Sequence, residues 1–152
     1  MMWRRGRKFL ALPPAVRWEM VRAGCLLALA PAGLRLWGFT RFYGWVIGRG
    51  GDTPAGDLAG VMQHVGQFAL AAAAVPWPTT CLSRSLALCW FLRRQGVAAE
   101  VQLGVRPRPG GLEAHAWVVW QGAVLNDSPD VAQRYTPLDL AARIPLQTRI
   151  VE

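Results

Sequence analysis

Carboxylates are nearly missing from the start of this chain: residues 1–50 hold Glu19 and no other acid, against nine Lys and Arg. Residues 51–152 hold eight Arg and eight acids, so the net charge of +8 belongs to the N-terminal third. Cysteine is scarce too. Cys25, Cys81 and Cys89 make an odd count with no CxxC spacing, which argues against a disulfide framework and against a four-ligand metal site, and leaves at least one thiol free. Nothing calls for a metal or a cofactor. The longest uncharged apolar run, Ala23 to Leu34, has twelve residues and contains Pro31, short of the roughly twenty that span a bilayer. The basic start Arg4–Lys8 resembles the first part of a signal peptide, but Pro13, Pro14, Arg17, Glu19 and Arg22 interrupt the segment after it. These absences point to a soluble, cytoplasmic chain, with peripheral membrane contact left open through its basic region. No internal repeat, nucleic-acid motif or basic–aromatic strand pattern is present, so the positive charge does not imply a nucleic-acid partner. A solvated basic helix face is its ordinary explanation.

What is present is apolar. The chain is 53% hydrophobic with eight Trp among 152 residues, enough for one domain with a real core. Pro13 and Pro14 suit the first turn of a helix through Val16, Met20, Val21 and Cys25–Leu29, with Cys25 in its core. A second short helix is expected from about Pro31 to Ile47, amphipathic through Leu34, Trp37 and Val46. Residues 48–56, with four glycines and one proline, form the clearest loop. It divides a basic helical N-terminal subdomain, 1–50, from a core of residues 51–152, the two making one unit.

Leu58, Val61, Val65, Phe68 and Ala72 share a face of a helix over about 57–74. Pro76 and Pro78 end it, and Thr79 or Thr80 caps the next helix, which runs from Cys81 to Arg93-Arg94 and stops at Gly96. From Val97 the apolar period becomes two, giving strands near 97–105, 113–120 and 123–127. A short helix and a last apolar strand, Thr148 to Val151, are expected after Leu138. Helices followed by an antiparallel sheet make an α+β fold.

Three residues in this layout carry chemistry. A thiol in the first turn of a helix lies beside unpaired N–H groups and the positive end of the helix dipole, which favour the thiolate. Cys81 has that place, whereas Cys89 lies mid-helix between Leu88 and Trp90 and reads as core. His115, flanked by alanines, shares a strand face with Trp117 and Val119. His64 reads as structural. Asp127 is placed to hold the imidazole in one tautomer. Nucleophile at a helix start, then base and orienter on neighbouring strands, is the order a papain-type thiol hydrolase needs. Parity raises a difficulty, because a two-residue turn at Gln121-Gly122 sets Asp127 opposite Ala116, on the wrong face. An odd loop or a bulge over 120–124 is therefore expected, unless Asp127 lies beyond the strand. The Cys81 N–H and one more donor would form an oxyanion hole, with Trp77, Thr79 and Thr80 as side-chain candidates. Arg84, Ser85 and Trp117 are candidates for lining the cleft.

At these residues a family comes into view. Cys81–Leu88 (CLSRSLAL), Leu92–Gly96 (LRRQG), Leu103-Gly104-Val105, Ala114-His115-Ala116-Trp117 and Asp127 together resemble the transglutaminase-like leader peptidases of lasso-peptide biosynthesis. The resemblance covers about residues 15–140. It implies a papain/transglutaminase-like fold, with the nucleophile on a central helix packed against a small antiparallel sheet. It implies a Cys81–His115–Asp127 triad that cleaves a leader peptide from a ribosomally made precursor through an acyl-thioenzyme. A chain of this length has no room for a leader-recognition domain, so the resemblance implies a stand-alone protease. Its partners would be the precursor leader, a separate small leader-recognition protein and the ATP-dependent lasso cyclase. The basic, Trp-rich first third would then serve as core support or as a docking surface. Acyl transfer to an amine by the same triad, and non-catalytic binding of peptide or membrane, are the alternatives.

Overall fold

The computed structural model describes residues 13–48, 57–76 and 78–138. The expected 48–56 loop from Arg49 onward, Trp77, and the expected C-terminal helix and strand lie outside the described residues. Helix α1 spans Pro14–Ile47, α2 Leu58–Ala72 and α3 Cys81–Arg94. Strands β1 (Glu100–Arg108), β2 (Gly111–Trp120) and β3 (Ala123–Val124) follow, then a one-turn helix α4 (Val131–Arg134) and β4 (Thr136–Leu138). The sheet is antiparallel in the order β3-β2-β1-β4. The α+β expectation holds, with N-terminal helices against a small antiparallel sheet.

The first helical segment differs from the sequence expectation. No break falls at Pro31, which lies inside α1; the non-helical residue is Gly38 (φ 74°, ψ 165°). An interior proline costs about 3 kcal/mol through its missing N–H and its clash with the carbonyl four residues back, and α1 continues through Pro31, which lies exposed beside the buried Ala30. The interruption moves to a residue with no Cβ, which enters the left-handed region without steric cost. As a result α1 is long and apolar enough, by length and composition, to cross a membrane, which the twelve-residue run alone did not suggest. Met20, Ala23, Leu27, Ala30, Phe42, Tyr43 and Val46 of α1 are buried, and Trp45 stacks on Trp90 of α3. Cys25, expected in the core, is exposed, as is Trp37.

Helix α3 is the central element: every residue from Ser85 to Leu92 is buried. Its start is held by a capping box. Thr80 Oγ1 accepts from the Ser83 N–H at 3.1 Å while Ser83 Oγ accepts from the Thr80 N–H at 3.1 Å. Leu86, Leu88 and Phe91 pack in the same core as Ala116, Val118 and Trp120 of β2. Cys89 lies there too, its thiol donating to the Ala99 carbonyl at 3.3 Å, and burial pushes that thiol up to about 12. His64 bonds Gln67 through Nδ1 at 3.1 Å and meets Phe91 edge-on.

The far face of the sheet carries a second cluster of Trp117, Val131 and Tyr135. Gly104 on β1, opposite His115, makes it possible. A Cβ there would stand 2.7 Å from Trp117 Cη2 and 2.8 Å from Tyr135 Cβ, so the Trp117 ring and the Tyr135 Cβ occupy the space any side chain would need. Strand β4, which sequence patterning did not reveal, runs along the edge of the sheet, where Pro137 is tolerated.

Candidate active site

Three local structures bring Cys81, His115 and Asp127 to one cavity of about 430 Å³. Cys81 is the first residue of α3, set by the Thr80 cap, and is partly exposed. His115 lies on β2 where that strand, still paired with β1, has run past β3, since β3 pairs only with Val119 and Trp120. Asp127 follows β3 on a segment that leaves the ladder.

The way it leaves corrects the expected loop. Gln121 (φ 47°) and Gly122 (φ 80°) form an even two-residue turn between the paired Trp120 and Ala123, with no bulge. Two successive positive φ angles are what the right-handed strand twist favours in so short a loop. Parity would now put Asp127 on the wrong face, but strand pairing ends first. The Leu125 N–H still donates to the Val118 carbonyl at 2.9 Å. The Val118 N–H then donates at 2.7 Å to the side-chain oxygen of Asn126 instead of to backbone. Asn126 Nδ2 donates to Ser85 Oγ at 3.1 Å, and that hydroxyl donates to the Ala116 carbonyl at 3.0 Å. A link from the buried Ser85 to the exposed Asn126 thus ties the central helix, β2 and the Asp127 segment together, and frees Asp127 from the strand alternation.

Asp127 Oδ2 stands 2.6 Å from His115 Nε2. Its other oxygen accepts from the Ser128 N–H at 2.7 Å and the Ser128 hydroxyl at 3.2 Å, with Arg134 at 3.5 Å. Partial burial raises the carboxyl, but the hydrogen bonds from His115 and Ser128 and the His115 charge outweigh it and hold it below the usual carboxylate range. With Nε2–H donating to a carboxylate, Nδ1 is the ring atom left to exchange a proton. Among the described residues no hydrogen bond joins His115 to Cys81; they meet across the cavity, as catalytic pairs often do before substrate arrives.

The opposite side of the imidazole is filled. Tyr135 stacks on His115 with ring centroids 5.0 Å apart, and Trp117 lies at 6.1 Å. The Tyr135 hydroxyl donates to Glu113 at 2.6 Å, Arg106 donates to both Glu113 oxygens at 3.0 and 3.1 Å, and the Arg106 guanidinium lies 4.8 Å above the Tyr135 ring. The hydrogen bonds from Tyr135 and Arg106 lower the Glu113 carboxyl, and the same Tyr135–Glu113 bond raises the phenol.

The remaining sequence candidates separate clearly. Thr79 and Arg84 line the cavity, with Val65, Phe68 and Ala69 of α2 and Leu88 of α3 as apolar wall. The Thr80 oxygen is engaged in the cap, so it does not serve as an oxyanion donor. Trp117 is fully buried in the far-face cluster, packed with Tyr135, and does not line the cavity. Ser85 is buried beneath the site and bonds β2 instead of facing the cleft. Trp77 lies outside the described residues. Sequence reasoning missed Asn126, Tyr135, Glu113 and Gly104 as parts of the site's support. Only Asn126, next to Asp127 at the end of an apolar strand, carried any signal.

A thiol at a helix start and a carboxylate-held imidazole in one cavity can carry out nucleophilic acyl chemistry. Comparison with known families agrees: the transglutaminase-like superfamily model matches residues 26–139, and the chain belongs to that superfamily. Its members are typically cysteine-dependent enzymes, which supports a protease- or acyltransferase-type activity at that level. No curated protein and no solved structure matches the chain significantly.

Proposed function

We propose that this chain is a cysteine peptidase that removes the leader from a ribosomally made lasso-peptide precursor. One observation carries the peptidase reading: His115, held by Asp127 at 2.6 Å, shares a cavity with the helix-start thiol Cys81. The lasso assignment is supported by the CLSRSLAL, LRRQG and AHAW strings.

In this mechanism the Cys81 thiol gives its proton to His115 Nδ1 and the sulfur attacks the scissile carbonyl. The tetrahedral oxyanion is met by helix-start N–H groups, which have no intrahelical partner. Collapse breaks the C–N bond as the imidazolium protonates the leaving amine, and a thioester remains. Water then attacks it, His115 takes the water proton, and the thiolate leaves with the leader as a carboxylic acid. Asp127 accepts from Nε2–H throughout and stabilises the imidazolium. The partners are the precursor leader and a small leader-recognition protein, with the lasso cyclase taking the released amine, in the cytoplasm.

Superfamily membership equally favours a second reading, transfer of the acyl group to an amine. Mass spectrometry of a precursor incubated with this protein and its recognition partner separates the two. A single cut by the wild type, absent with Cys81→Ala, supports the peptidase. An amide product in the presence of added amine supports transfer. Equal cutting by wild type and Cys81→Ala removes Cys81 from the mechanism.

A further inference from the structure

Helix α1 is apolar on two opposite faces. Met20, Ala23, Leu27 and Ala30 pack into the core. On the other side Trp18, Val21, Cys25, Leu29, Ala32 and Leu36 recur every three or four residues, all exposed. Trp18 is 61%, Leu29 65% and Leu36 80% accessible. At about 100° per residue these three fall within roughly 20° of one line, and the stripe is about 27 Å long. A helix apolar on two faces requires cover on both, and among the described residues only the inner face is covered.

Charge selects what supplies the other. The single acid of α1, Glu19, is bonded by Arg22 at 3.3 Å and Arg94 at 3.2 Å. Arg35 and Arg41 are exposed, and among the described residues no carboxylate pairs with either. The stripe therefore has a positive border without a free negative charge, in the third of the chain that carries the whole +8. Trp18 stands at one end, and Trp37, 58% exposed, at the other, beside the Gly38 break. Apolar stripe, basic flank and terminal indoles together complement acyl chains, anionic headgroups and the interface between them. Burial of the inner face against α3 keeps α1 from leaving the domain as a lone span.

We propose that α1 docks this protein on an anionic membrane surface, with Trp18, Leu29 and Leu36 entering the headgroup boundary and Arg35 and Arg41 on lipid phosphates. This does not depend on which acyl chemistry the cavity performs.

Flotation of the full chain with vesicles tests it. Vesicles of phosphatidylglycerol and phosphatidylcholine in equal parts are compared with phosphatidylcholine alone. Binding to the anionic vesicles that falls on adding salt is expected. Leu29→Ser/Leu36→Ser should weaken it by about tenfold or more with thermal unfolding unchanged, since both side chains are exposed. Arg35→Gln/Arg41→Gln should weaken it and flatten its salt dependence. No binding to anionic vesicles, equal binding to both lipids, or undiminished binding by the serine variant each overturns the proposal. So does a concentration-dependent dimer that the serine variant abolishes without any vesicle binding, which assigns the stripe to a second copy of the chain.

Discussion

Replacing Asn126 with Ala should cost more than an exposed amide ordinarily would, because its two ends serve different elements. Its oxygen is the acceptor for the Val118 N–H at 2.7 Å, and Val118 is fully buried in mid-sheet. Its nitrogen donates to Ser85 Oγ at 3.1 Å. Truncation leaves the Val118 donor unsatisfied, at about 1–3 kcal/mol, and removes the bond to Ser85, worth about 0.5–1.5 kcal/mol net. We expect a loss of about 2–3 kcal/mol on those grounds. Ser85→Ala should cost about 1 kcal/mol, since a carbonyl that loses a partner suffers less than an N–H. The two should not add: a double-mutant cycle should return a coupling of about 0.5–1.5 kcal/mol for the shared bond. Urea unfolding gives these values from the midpoint at constant slope. An Asn126→Ala loss below about 0.5 kcal/mol would mean that water replaces the amide, and would refute the view that this side chain substitutes for a strand.

Asp127→Asn should make stability less dependent on acid pH. The Asp127 carboxyl is held below its ordinary value of 3.8, so its contribution is fully present above that value and is lost as pH falls through the folded value. The wild type should therefore exceed the variant at neutral pH and converge on it in strong acid, as followed by denaturant midpoints. A constant gap down to the lowest pH would contradict this. Gly104→Ala places a methyl where Trp117 and Tyr135 already lie at 2.7 and 2.8 Å, so a destabilisation of about 1–3 kcal/mol is expected. Loss of turnover beyond that of the folded fraction would show that the Tyr135 stack positions His115, whereas unchanged turnover would confine Gly104 to packing.

Local signals read well wherever one element supplied them. The Pro76–Pro78 stop, the Thr80 cap and the Cys81 start were legible because capping is settled within four residues, and Arg93-Arg94 and Gly96 closed the same helix. Alternation assigned His115 and Trp117 to one face of β2 and Ala116 and Val118 to the other. The split at Pro31 failed because a single proline removes one hydrogen bond without ending a helix, whereas Gly38 leaves helical backbone altogether. Assigning Trp117 to the cleft failed for another reason. Sharing a face with His115 is not the same as sharing a cavity, since the cavity lies at the strand edge while Trp117 lies under Tyr135.

The parity conflict at Asp127 holds the larger lesson. Alternation required either an irregular turn or an early end to the strand, and the molecule takes the second course. A regular turn preserves the favourable twist of the β2–β3 hairpin. The irregularity moves to Asn126, where a side-chain amide can accept the hydrogen bond a strand backbone would have accepted. That choice also connects the site. Had the turn bulged, Asp127 could have reached His115 from within a strand, with nothing linking it to the helix that bears Cys81. Because Asn126 ends the strand by bonding Ser85, one turn along α3 from the thiol, the element that carries Cys81 is tied to the segment that carries Asp127. The departure from strand pairing is therefore part of what sets the relative positions of the thiol, the imidazole and the carboxylate.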